Sequence, residues 1–153
     1  MMCVAVAVAK TEVPNHVLQA HLQRLAEREQ VPELRFSFRD PLPELPVEHN
    51  GQFCVYEWGN HSGDTTLPKT GWCRSESLEA GKWRWLHPEE VIIRANFGLE
   101  KGRWFHIDEG IRGLLVNDEA GRPHIYMLTE PASHYYQGMT RHDRMPVFLG
   151  DGI

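Results

Sequence analysis

The second half of this chain is cut into short runs rich in β-branched and aromatic residues, and this limits its folding choices more than any other feature. Residues 91–95, 104–107, 113–116 and 125–128 each have the length of a strand and fall short of a stable helix. The last two are separated by Asn117, Asp118, Glu119, Ala120 and Gly121, a turn-forming series that predicts a hairpin. Runs of this kind must pair with one another and turn one face toward a shared core.

The first half contributes less sheet by the same criteria. Residues 4–9 read as a buried strand. Pro14 and Asn15 then open a helix in which Val17, Leu18, Leu22, Leu25 and Ala26 recur at helical spacing, with Pro32 marking its end. Pro41, Pro43 and Pro46 predict an irregular connector over 40–46. Residues 53–58 resemble a strand, and 59–71 carry the Gly, Ser, Asp, Thr and Pro of a loop. Pro131, Ala132 and Ser133 start a short helix through Tyr135 and Tyr136, and 147–149 look like a last strand. One early helix followed by many strands predicts an α+β fold: mainly antiparallel sheet, curled toward a barrel, with a few flanking helices. At 153 residues and 41% hydrophobic content, 1–153 is expected to form a single domain.

Composition narrows the functional classes. No apolar run reaches bilayer length and no basic leader precedes 4–9, so a cytoplasmic location is expected. Cys3, Cys54 and Cys73 are odd in number and widely spaced, which argues against a disulfide framework. The nine histidines form no HExxH or zinc-type pair, and neither a metal nor another cofactor is expected. A net charge of −5 opposes a broad nucleic-acid footprint, so any DNA contact must be local. The slightly basic window 71–106 is where it would fall.

Cys3 is the first candidate for chemistry. Once such a residue is N-terminal, it presents an α-amine and a thiol on adjacent atoms. The amine, with an ordinary pKa of about 8, condenses with an aldehyde, and the thiol then closes a five-membered thiazolidine ring. The open form of an abasic deoxyribose is such an aldehyde. The structural alternative is a buried strand-end cysteine acting as a small hydrophobe.

His142, Asp143, Arg144, Met145, Pro146 and Val147 form a segment that closely resembles the His-x-Arg-Met-Pro-Val box of the SOS-response-associated peptidase family. Leu128, Thr129, Glu130 and Pro131 resemble that family's strand and threonine-rich turn just before the box. Arg74, Ser75 and Glu76 resemble the end of its Asn-Ala-Arg-x-Glu motif, residues 95–100 its Pro-Ala-Asp-Gly-Phe-Tyr-Glu segment, and Trp58-Gly59 its Trp-Gly pair. The matches occur in family order from Cys3 to Leu149.

The resemblance implies a DNA-damage protein that covalently captures abasic sites in single-stranded DNA. Cys3 would be the nucleophile and crosslinking residue, with Glu100 and His142 as the acid/base pair. Arg74 and Arg144 would contact DNA, with Trp58 and Trp72 stacking or wedging beside the lesion ahead of Trp83 and Trp85. Outside the resemblance, Glu100 reads as an exposed turn carboxylate pairing with Lys101 or Arg103, Arg74 as a surface partner of Glu76, and His142 as a turn histidine.

The chain departs from the family pattern in three places. It begins Met1-Met2-Cys3-Val4 rather than Met-Cys-Gly-Arg, so exposure of Cys3 requires a start at Met2 or self-cleavage ahead of Cys3, the expected autopeptidase activity. Trp72 and Cys73 stand where the family has asparagine and alanine, with Asn60 and Asn96 as candidate substitutes. The sequence ends soon after the His142 box, which reads as a trimmed or phage-related member lacking the C-terminal part of the family fold. Two other functions remain in view: a catalytically impaired relative that binds DNA or protein, and a cysteine peptidase acting on other proteins.

Overall fold

The computed structural model describes residues 3–150. Strands β1 (Ala5–Ala9), β2 (Leu25–Arg28), β3 (Val31–Ser37), β8 (Phe97–Glu100) and β9 (Arg103–His106) form an antiparallel sheet in the order β2-β3-β1-β8-β9, with β1 buried along most of its length. The second sheet uses β4 (Glu44–His49), β5 (Gln52–Trp58), β6 (Trp72–Arg74), β7 (Glu89–Ile93), β10 (Ile111–Asn117), β11 (Pro123–Pro131) and β12 (Arg144–Pro146). Its path β10-β7-β4-β5-β11 returns to β10 through a further pairing, so five strands close into a small barrel. β6 and β12 attach to β11 outside that ring. The helices α1 (Asn15–Ala20), α2 (Ser75–Glu79) and α3 (His134–Thr140) flank the sheets. The fold is therefore α+β and mostly sheet, as the strand pattern predicts.

Both sheets supply the main core. Val6, Leu34 and Phe36 from the first meet Leu45, Val47, Ile93, Ile111 and Ile125 from the second, all fully buried. A smaller cluster around Leu114, Val116, Tyr126 and Leu128 lies between the barrel and the segment after β6.

The long helix expected from Asn15 toward Pro32 is absent. Helix α1 stops at Ala20, a 3-10 turn spans Leu22–Arg24, and the remainder is the β2–β3 hairpin. Its turn residues Glu29 and Gln30 both take left-handed φ, 50° and 69°, the twist that matches a two-residue hairpin. Leu22 and Leu25, read as buried helix positions, are 47% and 40% exposed. Pro32 sits inside β3 opposite Glu27, beyond the stretch that β1 pairs, where its missing N–H costs no ladder bond on that side. The proline connector is likewise shorter than expected, since Glu44 already begins β4. The final strand lies at Arg144–Pro146 rather than 147–149, with Phe148 forming an isolated bridge to Ile111.

A buried polar staple holds the barrel's β10–β11 hairpin to the 59–71 loop. His124, wholly buried, has Nδ1 2.8 Å from the Gly59 carbonyl and Nε2 2.8 Å from Asp118 Oδ2. Each ring nitrogen therefore faces an acceptor oxygen. Asp118 also accepts the amide N–H groups of Ala120 and Arg122, each at 2.9 Å. The His124 bond first, and these amides after it, hold the Asp118 carboxyl down at about 2, against the opposing effect of burial. A folded-state pKa below the ordinary value gives stability that is complete above about pH 4 and lost as pH falls toward 2. The gap in urea midpoint between wild type and Asp118→Asn is therefore expected to be flat above pH 4 and to shrink steadily between pH 4 and 2.

Candidate functional site

β1 is apolar on both faces because it lies between β3 and β8. Its register with β8 pairs Ala5 with Leu99 and Val6 with Gly98, and the Val4 amide donates to the Leu99 carbonyl at 2.9 Å. Continued by one residue, this register brings the start of the chain beside the end of β8. There the backbone N–H of Cys3 donates to Glu100 Oε1 at 2.8 Å. Gly98 makes room for the contact: a Cβ on it would lie 2.6 Å from the Phe105 ring and 3.2 Å from Cys3 Sγ.

Tyr136 completes the cluster from α3. Ser133 caps that helix by accepting the Tyr136 amide at 3.1 Å, which sets the phase so that Tyr136 faces inward while Tyr135 is exposed. The Tyr136 hydroxyl donates to the same Glu100 Oε1 at 3.2 Å, and its ring stands edge-on to Phe105 at 5.5 Å. Glu100 is 1% exposed, so it is not the surface turn carboxylate of the simpler reading, and neither Lys101 nor Arg103 pairs with it among the described residues. Its other oxygen, Oε2, is buried without a hydrogen-bond partner among the described residues, a condition that costs about 1–3 kcal/mol. Burial, followed by the Glu100 charge, pushes the Cys3 thiol up to about 12. Tyr136 is pushed far above its ordinary value by burial, then by Cys3 and Glu100. This arrangement offers a main-chain nitrogen, a thiol, a carboxyl and a phenol in one dry cluster.

The remaining expected residues divide. No hydrogen bond or ion pair joins His142 to Cys3 or Glu100 among the described residues. Its Nδ1 accepts the Arg144 amide at 3.0 Å, which leaves Nε2 as the ring's donor. The link to the cluster is indirect: Lys101 Nζ, next to Glu100, donates to the Arg141 carbonyl at 2.8 Å, tying the β8–β9 turn to the turn that carries His142. Arg74 is exposed and makes no ion pair among the described residues. Its expected partner Glu76 is held instead by both terminal nitrogens of Arg144, at 2.6 and 2.9 Å, which keeps the Glu76 carboxyl down at about 2.

Two expectations on DNA contact, for Arg144 and Trp58, and one on substitutes need correction, whereas Trp72 is half-buried. Arg144 also donates to the Thr129 carbonyl and hydroxyl, so its fork is spent within the protein. Trp58 is completely buried, with Nε1 donating to the Gly71 carbonyl at 2.9 Å; it closes the loop from inside and cannot meet a base. Trp72 packs on Phe38 and Trp58, at centroid distances of 4.7 and 5.8 Å. Asn60 holds the Thr65 and Leu67 carbonyls, and Asn96 joins the Ala9 amide to Glu12, so neither takes the place of the family's asparagine.

Tyr136 is the residue that sequence reasoning missed. Only the Ser133 cap pointed to it, by fixing which of two adjacent tyrosines faces the core. No group of three His, Cys, Asp or Glu suited to a metal occurs among the described residues, and no helix there is long and apolar enough to cross a membrane. Met1 and Met2, whose removal would free Cys3, lie outside the described residues. Compared with models of known protein families, with curated proteins and with solved structures, the chain matches none.

Thiol accessibility checks the cluster directly. Cys3 and Cys73 are buried and both pushed up to about 12, whereas Cys54 is half-exposed. A chain still carrying Met1 and Met2 is expected to lose one thiol to an alkylating reagent at pH 8 when native and all three when unfolded. Peptide mapping should place the native modification on Cys54.

Proposed function

We propose that this chain captures abasic sites in single-stranded DNA as a covalent adduct on Cys3, after Met1 and Met2 have been removed. The observation that carries the reading is the 2.8 Å contact between the Cys3 nitrogen and Glu100 Oε1. With the preceding residues gone, that nitrogen is a primary amine already within reach of a base. The resemblance of Cys3, residues 95–100 and the His142 box to the SOS-response-associated peptidases supports the same assignment.

Each step balances without an added oxidant or reductant. Hydrolysis of the Met2–Cys3 peptide bond consumes one water and frees the amine. The amine attacks the aldehyde carbon and its first proton passes by way of Glu100 to the aldehyde oxygen, giving the carbinolamine; its second proton follows the same route as the hydroxyl leaves as water. A Schiff base remains. The thiol then adds to the imine carbon, its proton going to nitrogen, and closes the thiazolidine. The proton delivered to the departing hydroxyl is one that Glu100 has taken from the amine, so the step balances without a second acid.

The complete burial of Cys3 favours a second reading, in which the chain is a binding module whose thiol stays masked. Intact mass separates the two, since the capture reading expects both methionines to be lost. Incubation with an abasic single-stranded oligonucleotide is expected to give a denaturant-resistant, shifted band. Cys3→Ala should abolish that band, and Glu100→Gln should slow its appearance about 10²- to 10⁴-fold, the usual contribution of a proton-transfer group. Absence of the band from protein shown by mass to begin at Cys3 would end the proposal.

A further inference from the structure

With Trp58 buried and Trp72 half-buried against it, a different tryptophan faces solvent most openly. Trp85 is 63% exposed, on the 3-10 turn Arg84–Leu86. It is held outward by neighbours that face in. Trp83 is buried edge-on to Tyr126 at 5.0 Å, and Leu86 packs against the small cluster around Leu114 and Leu128. The turn is closed by the Leu86 amide on the Trp83 carbonyl and the His87 amide on the Arg84 carbonyl, at 3.0 and 3.1 Å. An indole so braced is presented with little freedom to fold back, which lowers the entropy lost when something stacks on it.

The charges beside it are unusual for an acidic protein. Arg24, Arg28, Arg35, Arg94 and Arg112 are all matched by carboxylates. On the stretch from β6 to this turn, Arg74, Lys82 and Arg84 are exposed and meet no carboxylate among the described residues. Glu76, the acid that would have neutralised Arg74, is taken by Arg144. Glu79 is then the stretch's remaining acid. Arg74 lies opposite Thr129 in the β6–β11 register, and Thr129 lies opposite Pro146 on β12. The Arg144–Glu76 pair fastens the start of α2 to the strand that begins two residues after His142. Arg74 is thus tied by register to the strand that follows His142, and Lys82, Arg84 and Trp85 come next along the same stretch of chain.

We infer that residues 74–87 seat the single strand on one side of the lesion: Trp85 stacks on an unpaired base while Arg74, Lys82 and Arg84 meet phosphates. This assignment rests on the capture reading for its choice of partner. An anionic chain with flat, unpaired rings complements an exposed indole among unpaired cations; duplex DNA does not offer its ring faces.

The test uses the full chain and an undamaged oligothymidylate, which has no aldehyde and so reads docking apart from Cys3 chemistry. Trp85→Ala is expected to weaken binding about five- to hundred-fold by fluorescence anisotropy, while Trp85→Phe keeps most of the affinity. The Lys82→Ala/Arg84→Ala double variant should flatten the slope of log affinity against log salt by about 1.4, which is about 0.7 for each phosphate no longer neutralised. Thermal unfolding midpoints equal to wild type would assign these effects to the surface. Wild-type affinity in Trp85→Ala, or no binding of oligothymidylate by wild type, would overturn the inference. So would a wild-type dimer in sedimentation that Trp85→Ala dissociates, since the face would then serve self-association. Retained oligothymidylate binding with no abasic crosslink would instead indict the Cys3 chemistry and leave the docking site standing.

Discussion

The structure depends on β11. Its nine residues are shared among four neighbours: β10 along its first half, β5 at His124 and Ile125, β6 from Met127 to Thr129, and β12 from Thr129 to Pro131. The pairing with β10 closes the barrel and removes two sheet edges that would otherwise stand open. The segments argued to matter for function hang from the same strand, since β6 carries Arg74, β12 carries Arg144, and α3 follows β11 directly. His124 strengthens this arrangement by bonding the Gly59 carbonyl and Asp118 together, so the 59–71 loop and the β10–β11 turn are held by one buried ring.

At the other sheet, the decisive feature is a carboxyl placed where water does not reach. Glu100 is surrounded by the Cys3 amide, the Tyr136 hydroxyl and the apolar wall of Phe105 and Gly98. Burial and the nearby carboxylate both disfavour ionising Cys3 and Tyr136, so the thiol is quiet while its nitrogen is still an amide. The group that Glu100 bonds is the nitrogen, the one it would serve in the proposed capture reaction. That ordering suits a reaction in which an amine acts first and sulfur second. Oε2 is a buried acceptor position with no partner among the described residues.

Charge and aromatic surface are distributed by the same logic. Glu76 sits two residues from Arg74 yet bonds Arg144, because the fork of Arg144 meets Glu76 and Thr129 together when β12 docks on β11. Arg74 as a consequence meets no carboxylate among the described residues. Among the tryptophans, burial follows what the backbone around each one needs. Trp58 closes a loop through its ring nitrogen, Trp83 fills the smaller core, and Trp85, two residues on along a tight turn, is carried to the opposite side.

The strand-rich second half was legible because short β-branched runs and the 117–121 turn are local signals, and local steric preference was enough to place β7, β9, β10 and β11 within a few residues. The Ser133 cap was legible for the same reason. The stretch after Ala20 misled because Leu22 and Leu25 have helical spacing, whereas the choice between helix and hairpin there was made by pairing with β3, a partner that periodicity does not reveal. In the site, residue chemistry singled out Cys3, whereas Glu100 was reached only through the resemblance and read otherwise as an exposed turn carboxylate. Their contact, the part played by Tyr136 and the outward turn of Trp85 came from residues far apart in the chain. The sequence by itself determined the class of fold and the reactive groups available; the tertiary structure alone decided which of them share a desolvated cluster and which are spent on one another. The reason is that local preference acts over a few bonds, whereas burial and pairing depend on every strand that closes around a residue.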